Sequence, residues 1–310
     1  MGVTVGKNIR AEFDEKTGSL RLYSNDGVLW PEWTQYLEVD KEEIKSIYII
    51  EGTVSLPEQA DGCFRGLARL TTLDLKNFRT ARTIDMSNMF NGCRSLTSLD
   101  LSNFDTSHVT DMPHMFAGCD KLKDLDLSGF DTSNVTNMRC MFFDCKSLTK
   151  LDLGSFDTSK VTDMYGMLRG CERLTHLDIN RFDTGSVIDM RGMFKSCSSL
   201  KSLDLSHFNV PKLRNTALMF AGCTNLTYLN LGNFNTSKIT NMYGMFRECM
   251  NLKELDLHSF DMSNVRDMRK MFETCSSLTQ LTMNIVINDG TQTSGMFRGC
   301  HPNVCQTSGS

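Results

Sequence analysis

The feature that most constrains this 310-residue sequence is a repeat that can be measured on its cysteines. Eight of them follow one another at intervals of 26 residues, and Cys300 comes 25 residues after the last of the eight. The eight are Cys93, Cys119, Cys145, Cys171, Cys197, Cys223, Cys249 and Cys275. One unit, residues 96–121, reads LTSLDLSNFDTSHVTDMPHMFAGCDK. A period between about 20 and 50 residues is typical of solenoids. The sequence therefore predicts a stack of about nine coils.

Two segments of each unit determine the shape of the predicted coil. The L-x-x-L-D-L segment ends in alternating apolar and polar residues, the period of a strand with one buried face. The Asn, Asp, Thr and Ser residues that follow supply turns. The V-T-D-M-x-x-M-F segment predicts a second short element, either a strand or a single helical turn. One unit cannot bury its own apolar face, so the core must form between stacked copies.

This pattern and period are the signature of leucine-rich repeats. The form with M-F-x-x-C closing each coil and L-D-L-S-x-F-D-T-S-x-V-T-D-M opening it resembles the BspA-like leucine-rich-repeat surface proteins of bacteria, which also occur among mycoplasma lipoproteins. The resemblance covers residues 63–300. We therefore expect a mainly β leucine-rich-repeat solenoid with an N-terminal α+β cap.

The ends depart from the repeat. Residues 1–62 predict a cap that covers the open edge of the first coil, with a hairpin from strands at 9–13 and 19–23, a short helix within 29–39 and a strand at 44–51. Residues 63–300 form the predicted solenoid, and residues 301–310 a frayed tail. In the sixth unit Pro211 stands where Ser is usual, which is consistent with either a kink or harmless drift.

Most cysteines and methionines belong to columns, the same repeat position in successive coils. We predict that the column cysteines are buried free thiols acting as small apolar residues, and that the methionines fill the core. A line of thiols does not converge on a zinc tetrahedron. Cys300 and Cys305 lie in the irregular C-terminal end and could pair as a disulfide. Cys140 is out of the column, at a position predicted to be exposed.

The aspartates of L-D-L form a third column. Neighbouring carboxylates at the coil spacing repel by about 1 kcal/mol even in water. We expect hydrogen bonds from adjacent Thr, Ser and Lys, with some carboxylates raised in pKa, to compensate. The alternative is bound calcium between neighbouring carboxylates, which would involve Asp100, Asp126, Asp152, Asp178 and Asp204.

A binding surface must differ between coils, so the variable positions carry the functional prediction. Exposed Arg and Tyr are enriched where partners dock. The position after the first Met of the second element provides the preferred patch, Arg139, Tyr165, Arg191, Tyr243 and Arg269. The strand face provides a second patch, His176 and Tyr228.

Charge and motif content disfavour several function classes. There are 33 Lys plus Arg against 37 Asp plus Glu, a net charge of −4, and no basic run suited to nucleic acid. No apolar stretch is long enough to span a membrane. We find no catalytic motif among the six histidines and no phosphate loop. We therefore predict a non-enzymatic protein without a cofactor.

The resemblance implies a bacterial cell-surface adhesin that binds a protein ligand, such as a host extracellular-matrix or cell-surface protein. No signal or anchor is recognisable, so we interpret the chain as part of a longer extracellular or surface-displayed protein. Two alternatives remain open. One is a carbohydrate-binding surface module in which Tyr165 and Tyr243 stack on sugars, and the other is an intracellular repeat scaffold.

Overall fold

The computed structural model describes residues 2–284 and 287–306, which form a solenoid of stacked coils. Its regular elements are short because each coil turns after a few residues. They are β1 (Val3–Asp14), β2 (Ser19–Leu29), β3 (Ser46–Glu51), β4 (Val54–Ser55), β5 (Thr72–Leu73), β6 (Phe78–Arg79), β7 (Lys150–Asp152), β8 (His176–Asp178), β9 (Ser202–Asp204), β10 (Tyr228–Asn230), β11 (Glu254–Leu257), β12 (Gln280–Met283) and α1 (Pro302–Gln306).

The N-terminal sheet leads directly into the first coil. Strands β1 and β2 form the predicted antiparallel hairpin, closing at Asp14 opposite Ser19. Strand β3 lies parallel to β2 and also pairs with β5 of the first coil, while β4 joins β2 to β6. The predicted short helix is a 3₁₀ turn, Trp33–Tyr36, and a second 3₁₀ turn, Lys41–Glu43, follows outside the predicted range. Strand pairing therefore crosses residue 62, where we predict the end of the cap.

The second element of each coil forms the continuous ladder of the solenoid. Parallel bridges connect one residue per coil without interruption from Gln59 to Gln292. After the bridge residue, every second backbone amide of the element donates to a carbonyl group of the next coil, as the N–H of Phe116 does to the carbonyl of Met141. The intervening amides close local turns. In contrast, the L-x-x-L-D-L strands pair only in parts, such as β7 with β8 and β9 with β10.

The core consists of in-register columns, as the repeat predicts. Phe90 and Phe116 stack with ring centroids 5.6 Å apart, and the column methionines are fully buried. The column cysteines are free and buried, but they are more than apolar fillers. Each thiol donates to a carbonyl of the preceding coil, and Cys145 Sγ lies 3.1 Å from the oxygen of Phe116.

Buried threonines connect the turns of successive coils. The hydroxyl of Thr106 donates to the Asp131 carbonyl at 2.9 Å and accepts from the Asp131 amide at 2.8 Å. In the sixth unit Val210 occupies this position and is buried. Its coil keeps the parallel bridges at Asn215, so Pro211 does not interrupt the ladder.

One expectation about the cysteines needs correction, and another falls partly outside the described residues. Cys140 is only 3% exposed, although we predicted an exposed position. Its thiol is covered because Gly166 follows in the next coil: an added Cβ there would lie 3.1 Å from Cys140 Sγ. Cys300 is a free thiol that continues the column, donating to the Phe272 carbonyl at 2.8 Å. The side chain of Cys305 lies outside the described residues, so the predicted disulfide cannot be placed.

The predicted frayed tail is wrong for its first part. Residues 302–306 form the helical turn α1, and Val304 is buried against the last coil. The turn buries apolar surface that the last coil would otherwise expose. Residues 307–310 lie outside the described chain.

Candidate functional site

The preferred patch lies on the turn face, which we define as the surface formed by the second elements of the coils. Its members follow the ladder residue by two positions. The side chain of that ladder residue accepts the backbone N–H of the patch residue, as Asp163 Oδ1 does from Tyr165 at 2.8 Å and Asn137 Oδ1 from Arg139 at 3.0 Å. Asn and Asp interchange there because both provide this acceptor. The turn therefore projects each patch side chain in the same direction.

Three patch residues form one structural unit, the Arg–Tyr stack, defined as Arg139, Tyr165 and Arg191. The guanidinium carbons of Arg139 and Arg191 lie 4.0 Å and 4.9 Å from the centroid of the Tyr165 ring. Carboxylates hold both arginines: Arg139 Nη1 lies 3.6 Å from Asp163 Oδ2, and Arg191 Nη2 lies 2.6 Å from Asp189 Oδ2. The arginine side chains remain 38% and 42% exposed, so the stack is preorganised but accessible.

The structure divides the preferred patch into two parts. Ala217 occupies the patch position in the sixth unit and is buried. Its small side chain separates the Arg–Tyr stack from a second pair, in which Arg269 lies over the ring of Tyr243 at 5.6 Å. Arg269 Nη2 is also 2.8 Å from Asp267 Oδ2. The five predicted residues thus share one face but not one contact network.

The second patch is not one site. His176 and Tyr228 both lie on the strand face, which we define as the surface formed by the L-x-x-L-D-L segments, but a whole coil lies between them. Tyr228 is 49% exposed and borders a cavity of about 320 Å³ with Glu254, His258 and Gln280. His176 does not line this cavity.

This cavity contains a pairing that spacing alone did not suggest. His258 Nδ1 lies 2.9 Å from Asp256 Oδ1, because the turn after β11 brings residues two apart together. Glu254, by contrast, has no ion-pair or hydrogen-bond partner for its carboxylate within the described chain. The cavity therefore offers an aromatic edge and a free acceptor.

Hydrogen bonds hold the side chains of the aspartate column. Asp126 Oδ1 accepts the backbone N–H of Ser128 at 3.0 Å, and this bond lowers the pKa of Asp126. Hydrogen bonding by Ser102 and Ser206 likewise lowers the pKa of Asp100 and Asp204. The expectation that some of these carboxylates are raised in pKa is therefore wrong for these three. These hydrogen bonds favour the charged form of the carboxylates.

The calcium alternative gains no geometric support. Residues 2–284 and 287–306 contain no group of three or more His, Cys, Asp or Glu side chains that could hold a metal ion. The aspartates of the column instead use an oxygen for their own turns, as Asp152 does with the N–H of Gly154 at 2.9 Å.

No helix of the described chain is long and apolar enough to cross a membrane.

The stacked coils, the leucine strand column and the uninterrupted second ladder define a leucine-rich-repeat protein. The model of the family described as "Mycoplasma protein of unknown function, DUF285" matches residues 58–176, 144–230 and 203–308. The chain belongs to this family, and the predicted resemblance to repeat proteins that include mycoplasma lipoproteins is confirmed. A comparison with curated proteins gives no match.

Several solved structures are similar over most of their length. A leucine-rich repeat protein from Bacteroides ovatus is 14% identical, with 96% of this chain and 92% of that chain covered and a TM-score of 0.39. A leucine-rich cell surface protein from Faecalibacterium prausnitzii is 14% identical, with 92% and 95% covered and a TM-score of 0.32. The T. pallidum leucine-rich repeat protein is 17% identical, with 97% and 91% covered and a TM-score of 0.27.

Proposed function

We propose that this protein is a non-catalytic interaction module displayed at a bacterial cell surface, where the turn face binds a host extracellular-matrix or cell-surface protein. The observation that carries the proposal is the Arg–Tyr stack. Its side chains differ from coil to coil, are partly exposed, and are held by Asp163 and Asp189. Prior ordering of long side chains lowers the entropy cost of binding. Tyr and Arg are also the residue types that dominate binding energy at protein interfaces.

The test is a triple variant, Tyr165→Ala, Arg191→Ala and Tyr243→Ala. We expect binding to immobilised matrix or host-membrane proteins to weaken by about 100-fold or more, because two or three interface anchors are removed. The matched control is Arg10→Ala with Tyr23→Ala. It removes a similar stack from the N-terminal sheet, where the guanidinium carbon of Arg10 lies 4.7 Å from the centroid of the Tyr23 ring. Retained binding by a triple variant with an unchanged melting curve contradicts the assignment of the turn face.

Surface display needs a separate measurement. An antibody against the repeats should label intact source cells, and protease added outside those cells should remove the signal. Labelling that appears only after the cells are opened would favour the intracellular scaffold.

Carbohydrate binding is a second candidate, and the geometry favours a different tyrosine from those predicted. Guanidinium groups from the two flanking coils lie over the ring of Tyr165, so a sugar cannot stack there without displacing them. The ring of Tyr228 is exposed beside the 320 Å³ cavity, and Glu254 offers a free acceptor there. On a glycan array, binding that Tyr228→Ala abolishes and Tyr165→Ala spares would support this candidate.

A further inference from the structure

A groove on the turn face is lined by more Arg and Lys side chains than Asp and Glu side chains. This basic groove, a cavity of about 620 Å³, crosses the first to fourth coils, with Arg94, Lys146 and Arg169 at its rim. Arg139 also lines it but pairs with Asp163, as described above. Within the described chain, none of the three rim side chains has a carboxylate oxygen within 4.0 Å. The rim therefore holds three cations without an ion-pair partner.

The acidic residues of the groove do not balance these cations. Asp120 and Asp144 are its two carboxylates, against the three rim cations and Arg139, which already pairs with Asp163. Burial raises the pKa of Asp144, which shows that its charged form is poorly solvated. The groove is consequently positive in net charge.

Neighbouring cations act on a basic group inside the groove and on one beside it. Lys195 stands one coil further along the column of Arg169. Its pKa is lowered by burial and then by the charges of Arg169 and Arg247. Within the groove, burial and then the charge of Arg139 lower the pKa of His114. Clustered cations of this kind attract an anionic partner.

The floor of the groove is apolar. Ala117 and Cys140 are buried there, and Phe143 lies beside them with the Arg169 guanidinium 5.1 Å from its ring centroid. A sulfated glycan or a free phosphate would leave this floor without a partner. A peptide can place an apolar side chain on the floor and carboxylates at the rim.

We propose that the basic groove docks an extended acidic peptide segment of a protein partner. Its carboxylates would contact Arg94, Lys146 and Arg169, and one apolar side chain would contact Phe143. The rim spans three coil steps of about 4.8 Å each, which an extended peptide covers with about four residues. The inference rests on the proposed function only in assuming that the partner is a protein.

The test uses a labelled synthetic peptide of Asp and Glu around a central Phe, measured by fluorescence anisotropy with the whole chain. We expect Lys146→Gln with Arg169→Gln to weaken binding by about tenfold, since two charge contacts are lost. The matched control, Lys212→Gln with Lys238→Gln, removes the same charge from exposed positions outside the groove. It should stay within about twofold of the unaltered chain, and affinity should fall with added salt.

Three results would overturn the proposal: equal losses in the two double variants, equal binding of the peptide without its Phe, or tighter binding of a sulfated glycan or phosphate. Unchanged circular-dichroism melting curves confirm that the variants fold. The proposed function is tested separately with Arg191→Ala and Tyr243→Ala, which do not line the groove. If these spare capture of the host protein while the peptide still binds, the assignment of the stack fails and the groove stands.

Discussion

The buried thiol column should make this protein unusually sensitive to alkaline pH. Burial raises the pKa of Cys171 and Cys223 from 9.0 to about 12. Because the folded pKa lies above the unfolded one, the stabilisation is fully present below about pH 9 and is lost as pH rises toward 12. From about pH 8 to about pH 10, ionisation in the unfolded chain removes about 1.3 kcal/mol of unfolding free energy per thiol.

The perturbation is Cys171→Ala with Cys223→Ala, two coils apart and therefore close to additive. We expect the loss of unfolding free energy between the two pH values to be about 2.6 kcal/mol smaller in this variant. Urea unfolding, followed by circular dichroism with a reductant present, measures this loss in the variant and in the unaltered chain. Comparing the two cancels the titration of Lys and Tyr, which both chains share. Met245→Leu, a buried substitution without a titrating group, should change stability equally at both pH values. An alkaline loss equal to that of the unaltered chain would refute the reasoning.

Three further substitutions test the ladders of the solenoid by urea unfolding. Thr106→Val removes one hydroxyl from two backbone hydrogen bonds and should cost about 1–3 kcal/mol; an unchanged midpoint would show that water replaces it. Val210→Thr should add this missing bond in the sixth coil and gain about 1 kcal/mol, whereas a loss would mean that the coil has no acceptor in reach. Leu218 has a φ of +58°, at a position where the flanking coils have Gly192 and Gly244. Leu218→Asn should therefore raise the free energy of unfolding by about 1 kcal/mol. Destabilisation would indicate that the packing of Leu218 outweighs the backbone strain.

The charge distribution explains why the basic groove was missed at the level of sequence. Arg94, Lys146 and Arg169 lie in three different units, and no window of the chain is strongly basic. Stacking brings them to one rim because each coil advances by only about 4.8 Å. Reading columns for charge, as we read them for Tyr and Arg, is the signal that could have found them.

The sequence by itself determined the architecture, because near-identical units of one period can bury their apolar faces only against each other. The Met, Phe and Cys columns follow from that period. Only the tertiary structure decided which variable side chains meet. Tyr165 lies between two guanidinium groups because the adjacent coils happen to carry Arg at that position, and Cys140 is buried because Gly166 leaves it room. Such contacts depend on neighbours 26 residues away, which local pattern does not specify.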